Sequence, residues 1–140
     1  MSIQYFSEDV PFPKIGKRIA SNWIKSVIIN EEKLVGDISF IICSDEYLLE
    51  VNKKYLAHDY YTDVITFDYV ENNLISGDIF ISIDRVKENS VEFSSDFMNE
   101  FRRILVHGIL HLIGYKDKTK SDKLLMTQKE DFYLNFYSNI

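Results

Sequence analysis

The run Ile104-Leu105-Val106-His107-Gly108-Ile109-Leu110-His111-Leu112-Ile113-Gly114 decides how this chain is read, because it sets two histidines into an otherwise apolar helix. From about Phe97 to Ile113 the pattern is helical, and its second half is apolar nearly all round. A helix of that kind is buried. His107 and His111 are four residues apart, so they share a face about one turn apart and their imidazoles can converge on one ion. Gly114 is placed to end the helix in the left-handed conformation. A chain that breaks there and folds back can return Asp117, ten positions after His107, to the same ion.

This is the spacing logic of the metzincin proteases, H-E-x-x-H-x-x-G-x-x-H, with two changes. Gly108 stands where those enzymes place their glutamate base, which ranks a zinc peptidase low. Asp117 stands in place of the third histidine, and a carboxylate oxygen is an acceptable zinc ligand. Three protein ligands leave a position for water, as in a catalytic site. The plainer alternative makes the histidines hydrogen-bonded core residues and Asp117 a solvated turn residue between Lys116 and Lys118.

Outward from this helix, strands and helices interleave. A short strand around Gln4 and Phe6 precedes Pro11 and Pro13, then a helix whose stripe is Ile15, Ile19, Trp23 and Val27. Gly36 ends the connection into a buried strand, Ile38–Cys43. Ser44 and Asp45 cap a second helix with Leu48, Val51 and Tyr55 on its apolar side. Strands follow at Thr62–Tyr69 and Gly77–Ile83, joined by a turn at Asn72-Asn73, then a short helix from Asp84 to Val91. Ser94, Ser95 and Asp96 offer caps to the histidine helix. Thr119 and Asp122 have capping-box-like spacing for a last helix carrying Leu125, Phe132 and Phe136. The expected fold is α+β: a single domain over residues 1–140, with a small mixed sheet packed against helices and the metal site on a buried central helix.

Composition agrees with a compact soluble protein. Hydrophobic residues make up 46% of the chain, enough to fill a core, and a net charge of −6 argues against a strongly basic nucleic-acid wrapper. DNA is not an expected partner. One cysteine, Cys43, forms no internal disulfide, and no apolar run approaches the roughly 20 residues of a membrane span. Met1–Tyr5 lacks the basic-then-apolar pattern of a signal peptide, so a cytoplasmic protein is expected.

At the histidine run the sequence resembles the YbeY family of bacterial endoribonucleases, whose signature is H-G-x-L-H-L-x-G-Y-D-H. Val51-Asn52-Lys53-Lys54-Tyr55, Thr62-Asp63-Val64-Ile65-Thr66-Phe67 and Gly77-Asp78-Ile79-Phe80-Ile81-Ser82 are similar to the family's other blocks. Met126 and Glu130 fall at its closing M-x-x-x-E. The resemblance spans roughly residues 38 to 131. It implies a hydrolase that uses one zinc ion to cut single-stranded RNA, with roles in maturing the 3′ end of small-subunit ribosomal RNA and in ribosome quality control. Ribosomal RNA and the ribosome or its proteins would be the partners. Two departures from the family pattern matter: Lys116-Asp117 replaces its Asp-His pair, so that Asp117 stands for the third histidine, and Leu56 replaces the arginine after Tyr55. Leu56 keeps a second reading open, a non-catalytic zinc-containing factor that binds RNA or the ribosome.

For the chemistry, His107, His111 and Asp117 are the metal ligands, and Asp63 is the candidate base or positioning group, with Asp59 as its rival. Thr62 and Asn52 fit orienting roles, and His58 is a candidate polar group near Leu56. Candidate RNA-contacting cations are Lys53, Lys54, Arg85, Lys87, Arg102 and Arg103; Tyr60, Tyr61 and Tyr69 are candidate stacking residues or ordinary packing.

Overall fold

Apolar β-branched runs form the middle of the sheet, as expected of parallel strands covered by helices. A computed structural model describes residues 2–138. Its strands are β1 (Ile3–Ser7), β2 (Leu34–Cys43), β3 (Val64–Asp68) and β4 (Leu74–Ser82). The helices are α1 (Lys17–Asn30), α2 (Asp45–Leu56), α3 (Ile83–Glu92), α4 (Phe97–Ile113) and α5 (Lys120–Ser138). The strands lie in the order β1-β2-β4-β3. β2 runs parallel to β1 and β4, whereas β3 is antiparallel to β4. The sheet is therefore mixed, as expected, and its hairpin turns at Asn72, which has φ 57°.

Side chains on one face of the sheet, among them Ile38, Phe40, Ile42, Ile79 and Ile81, join the main core with α1, α4 and α5. Cys43, Leu48, Val51 and Ile65 form a smaller cluster with α2. Ser44 caps α2 by accepting the Tyr47 N–H at 3.1 Å. Thr119 and Asp122 make a reciprocal capping pair at the start of α5, at 3.1 and 3.3 Å.

α4 is the centre of the molecule, touching the sheet, α1, α3 and α5. It buries Phe101, Ile104, Leu105, Val106, Ile109, Leu110 and Leu112, each worth about 1.5–3 kcal/mol over exposure. Its close approach to β4 depends on Gly108. A Cβ there would lie 2.8 Å from Cγ2 and 3.0 Å from Cδ1 of the buried Ile79. The position read as a missing protease glutamate is thus a packing contact with no room for a side chain.

Several details differ from the sequence expectation. β2 begins at Leu34, so Gly36 lies within the strand, at the register shift between Val35 and Ile38. Ile15 precedes α1 and Ile19 is 49% exposed; the buried stripe is Ala20, Trp23, Ile24, Val27 and Ile28. Tyr55 on α2 is exposed. On α5 Leu125 and Phe132 face outward, while Met126, Glu130 and Tyr133 face in. An amphipathic stripe read one residue out of phase rotates by about 100°, which explains this last difference. Asp96 occupies the N-cap of α4, but its side chain makes no capping hydrogen bond.

Gly108→Ala should gain about 1 kcal/mol of helix propensity. It should lose more by pushing on Ile79, since overpacking typically costs about 1–3 kcal/mol. The expected result is a lower urea midpoint with an unchanged m value; a midpoint at or above the parent's would show that Ile79 yields freely.

Candidate metal centre

The periodicity of α4 aligns Arg103, His107 and His111 at four-residue intervals, so all three lie on one stripe beside its sheet-facing side. Gly114 then reverses the chain with φ 124°. Its N–H donates to the His111 carbonyl at 3.0 Å and the Tyr115 N–H donates to the Leu110 carbonyl at 3.0 Å, a Schellman turn. The loop that follows returns Asp117 to the histidines. Asp117 Oδ2 is 3.4 Å from His107 Nε2 and 3.3 Å from His111 Nε2. Ligand atoms from the three residues lie within 4.8 Å of one another. The His107, His111 and Asp117 side chains keep 18%, 25% and 43% exposure, so the group is open to solutes.

Donor chemistry and spacing fit zinc. Two atoms bound to a tetrahedral zinc at about 2.0–2.1 Å are separated by about 3.3–3.4 Å. The two edges through Asp117, 3.4 and 3.3 Å, have that length.

His107 is oriented from behind. Its Nδ1 lies 2.6 Å from Glu130 Oε2. An ionised carboxylate only accepts, so Nδ1 carries the proton and Nε2 is turned toward Asp117 and His111. Glu130 is itself held by Arg103, whose Nη1 reaches Oε1 at 2.9 Å while Nη2 reaches Asp131 at 2.7 Å. Burial disfavours the His107 cation, but the Glu130 hydrogen bond and the charges of Glu130, Asp63 and Asp117 outweigh it. The His107 pKa is therefore raised above the ordinary histidine value.

A second hub anchors the loop. Glu31, at the end of α1, accepts from Tyr115 at 2.5 Å, from Lys129 at 3.2 Å and from Tyr133. Burial works against its charge, yet these hydrogen bonds and the Lys129 cation lower its pKa overall. Tyr115 lies two residues before Asp117, so the loop and α5 are tied to the same carboxylate. Among the described residues no buried side-chain nitrogen or oxygen lacks a hydrogen-bond partner.

The remaining candidates separate cleanly. Asp63 shares a cavity of about 160 Å³ with His107, Arg103 and Glu130. Asp59 is 83% exposed and pairs with Lys53. Asn52 is buried and donates to the Tyr60 carbonyl at 2.9 Å, fixing the chain after α2. His58 stacks on Tyr60 and bonds its hydroxyl at 2.9 Å. Tyr61 donates to Glu46, and Tyr69 is exposed. Of the cations, Lys53 pairs with Glu50 and Asp59, Arg85 with Asp45 and Glu88, and Arg103 with Glu130 and Asp131. Lys54 and Arg102 lie over Tyr55 and Tyr137, and Lys87 is exposed beside α3's neighbours Phe97 and Met98. Glu130, known from sequence only as part of the closing M-x-x-x-E, and Arg103, expected as an RNA-contacting cation, instead support His107. The usable signals were the four-residue step from Arg103 to His107 and the acidic residue inside the Met126–Tyr133 stripe.

A family model described as Endoribonuclease YbeY matches residues 4–138. The chain belongs to the YbeY family. An Endoribonuclease YbeY from Parabacteroides distasonis is 51% identical over 131 residues, covering 94% of this chain and 92% of the relative. One from Flavobacterium psychrophilum is 52% identical over 116 residues, 83% of each chain. The solution structure of a Thermotoga maritima protein superposes with a TM-score of 0.67 at 26% identity, covering 97% of this chain and 89% of that one. The YbeY match reaches β1 and α1, upstream of the blocks at 38–131 that first suggested it.

In metal-free protein, a raised His107 pKa makes its stabilisation complete below the unfolded value of about 6.5. That stabilisation is lost as pH rises through the higher folded value. An NMR titration in chelator should place the His107 midpoint above 6.5, and Glu130→Gln should lower it. A midpoint unmoved by Glu130→Gln would contradict the assigned hydrogen bond.

Proposed function

We propose that this YbeY-family protein is a zinc-dependent endoribonuclease that hydrolyses single-stranded RNA in the cytoplasm. Its substrate is ribosomal RNA, at the 3′ end of the small-subunit molecule and in ribosome quality control, with the ribosome or its proteins as partners. The observation that carries this reading is the His107–His111–Asp117 group, in a chain about half identical to relatives named endoribonucleases.

His107 Nε2, His111 Nε2 and Asp117 Oδ2 would hold the ion. Zinc bound there supplies Lewis-acid polarisation of a phosphoryl oxygen and makes its bound water more acidic. The chain's own residues do the rest. Glu130 keeps the Nδ1 proton on His107, so that Nε2 presents its lone pair, and Arg103 prevents Glu130 from swinging away. Asp63, which lines the same cavity as His107, would accept a proton from the attacking water or orient it. Gly108 leaves no glutamate for peptide hydrolysis, and its contact with Ile79 closes that position to one.

Leu56, in place of the family arginine, supports the second reading of a non-catalytic RNA- or ribosome-binding factor. Metal analysis and cleavage of a labelled single-stranded RNA separate the two. The parent should contain stoichiometric zinc and cut the RNA; the combined His107→Ala and His111→Ala variant should do neither. Asp117→Ala should bind zinc more weakly and cut more slowly. Asp63→Asn should retain zinc while kcat falls about 100-fold or more. Undiminished zinc in the double variant would sink the metal assignment, and equal cleavage by all proteins would reveal a contaminating nuclease. RNA bound without cleavage by the zinc-loaded parent would favour the non-catalytic factor.

A further inference from the structure

The cavity shared by His107 and Asp63 extends away from the metal ligands toward α3 and the start of α4. Buried Val86 and Ile104 provide an apolar floor, while Phe93, 65% exposed, stands at its edge with Asn89 and Glu100. Asp63, Asn89 and Glu100 make no side-chain hydrogen bond or ion pair among the described residues, whereas Arg103 is engaged by Glu130 and Asp131. The polar groups free to meet a ligand are therefore two carboxylates, which accept, and one amide, which both donates and accepts.

That set is wrong for a phosphate, which would face like charge. It suits a flat neutral ring with hydrogen-bond donors on its edge, and an exposed phenyl beside an apolar floor suits the ring's faces. At about 160 Å³ the cavity has room for one ring system rather than a larger ligand. Among the RNA bases, guanine alone offers adjacent N1–H and N2–H donors with an O6 acceptor beside them. Uracil places its single N–H between two carbonyls. Adenine and cytosine set a ring acceptor next to their amino group, where a carboxylate repels it.

We propose that this cavity is a base subsite that takes one unpaired guanine next to the phosphate at the metal centre. Phe93 stacks on the ring, Glu100 accepts from N1–H and N2–H, and Asn89 donates to O6. The subsite rests on the ribonuclease reading for its substrate class, but it binds a base whether or not the phosphate is cut.

Two measurements on zinc-loaded protein test it. In the first, guanosine, inosine and uridine 5′-monophosphates are titrated and followed by NMR. Guanosine monophosphate should bind at least tenfold more tightly than uridine monophosphate, and inosine monophosphate, lacking the N2 amino group, should fall between them. Phe93→Ala should weaken guanosine monophosphate binding about tenfold, the usual size of a lost stacking contact. Glu100→Ala should bring the guanosine-to-inosine ratio to about one. Both residues lie at the cavity edge, and thermal unfolding of each variant checks that it is folded. In the second measurement, cleavage sites are mapped on uridine-rich RNAs carrying a single guanine, inosine or adenine, and cuts should fall beside guanine. Equal binding of the guanosine and uridine nucleotides, or a guanine preference that survives in both variants, overturns the subsite. Guanine-selective binding without cleavage of any RNA leaves the subsite standing and removes the nuclease reading. Cleavage indifferent to base does the reverse.

Discussion

The contact between Gly108 and Ile79 sets the height of α4 above the sheet, and the candidate centre follows from that height. With no side chain at 108 the helix settles onto β4, and Ile104, Leu105, Ile109 and Leu112 enter the core. The same rotation leaves Arg103, His107 and His111 on the adjoining stripe, where α5 and the loop after Gly114 meet them. The imidazoles are thus positioned by packing on the far side of the helix, and the hydrogen bond that His107 Nδ1 donates to Glu130 supplies that ring's final orientation. A rigid apolar element carrying a few polar groups is how a site keeps its geometry when its ligands exchange.

Much of this was legible in the residues themselves. The four-residue spacing of the histidines, the Gly114 break and the return of Asp117 are local geometry, and local geometry can be read from one sequence. The central strands β2 and β4 were visible as β-branched apolar runs. Less visible was anything that depended on which helix face turns inward. On α5, Leu125, Phe132 and Phe136 look like a stripe, but Leu125 and Phe132 face outward and the buried positions are Met126, Glu130 and Tyr133, with Phe136 partly buried against the core. A glutamate in a buried stripe resembles an error until its partners are known. Those partners, His107 and Arg103, lie on another helix. Arg103 was hidden for the complementary reason: arginine in an exposed-looking half of a helix is read as a surface charge, and only the step to His107 marks it otherwise.

The distribution of charge bears on how RNA is held. Lys53, Arg85 and Arg103 are occupied by carboxylates of this chain, and the total charge is −6. Counterion release is the usual source of nucleic-acid affinity and scales with the number of phosphates neutralised. Of the six RNA-contact candidates, Lys54, Lys87 and Arg102 make no ion pair among the described residues, so on the proposed function part of the recognition would fall to the metal centre and to stacking and edge contacts with unpaired bases. Such binding discriminates single strands from duplex, because paired bases have neither face nor edge available.

The hydrogen bond from Trp23 Nε1 to the Tyr133 carbonyl, 2.7 Å long, joins residues 110 positions apart. Closing so long a loop is among the later events available to a folding chain, since its entropy must be met before the contact returns anything. Tyr133 and Glu130 share the inner face of α5, but Glu130 meets His107 across only 23 positions, so the carboxylate reaches the imidazole as soon as α5 docks on α4. A partly folded molecule with α5 undocked therefore retains both histidines but lacks the group that aims one of them. Aiming His107 is thus a task of the C-terminal helix pair, and the Trp23 bond then clamps that pair to the N-terminal helix.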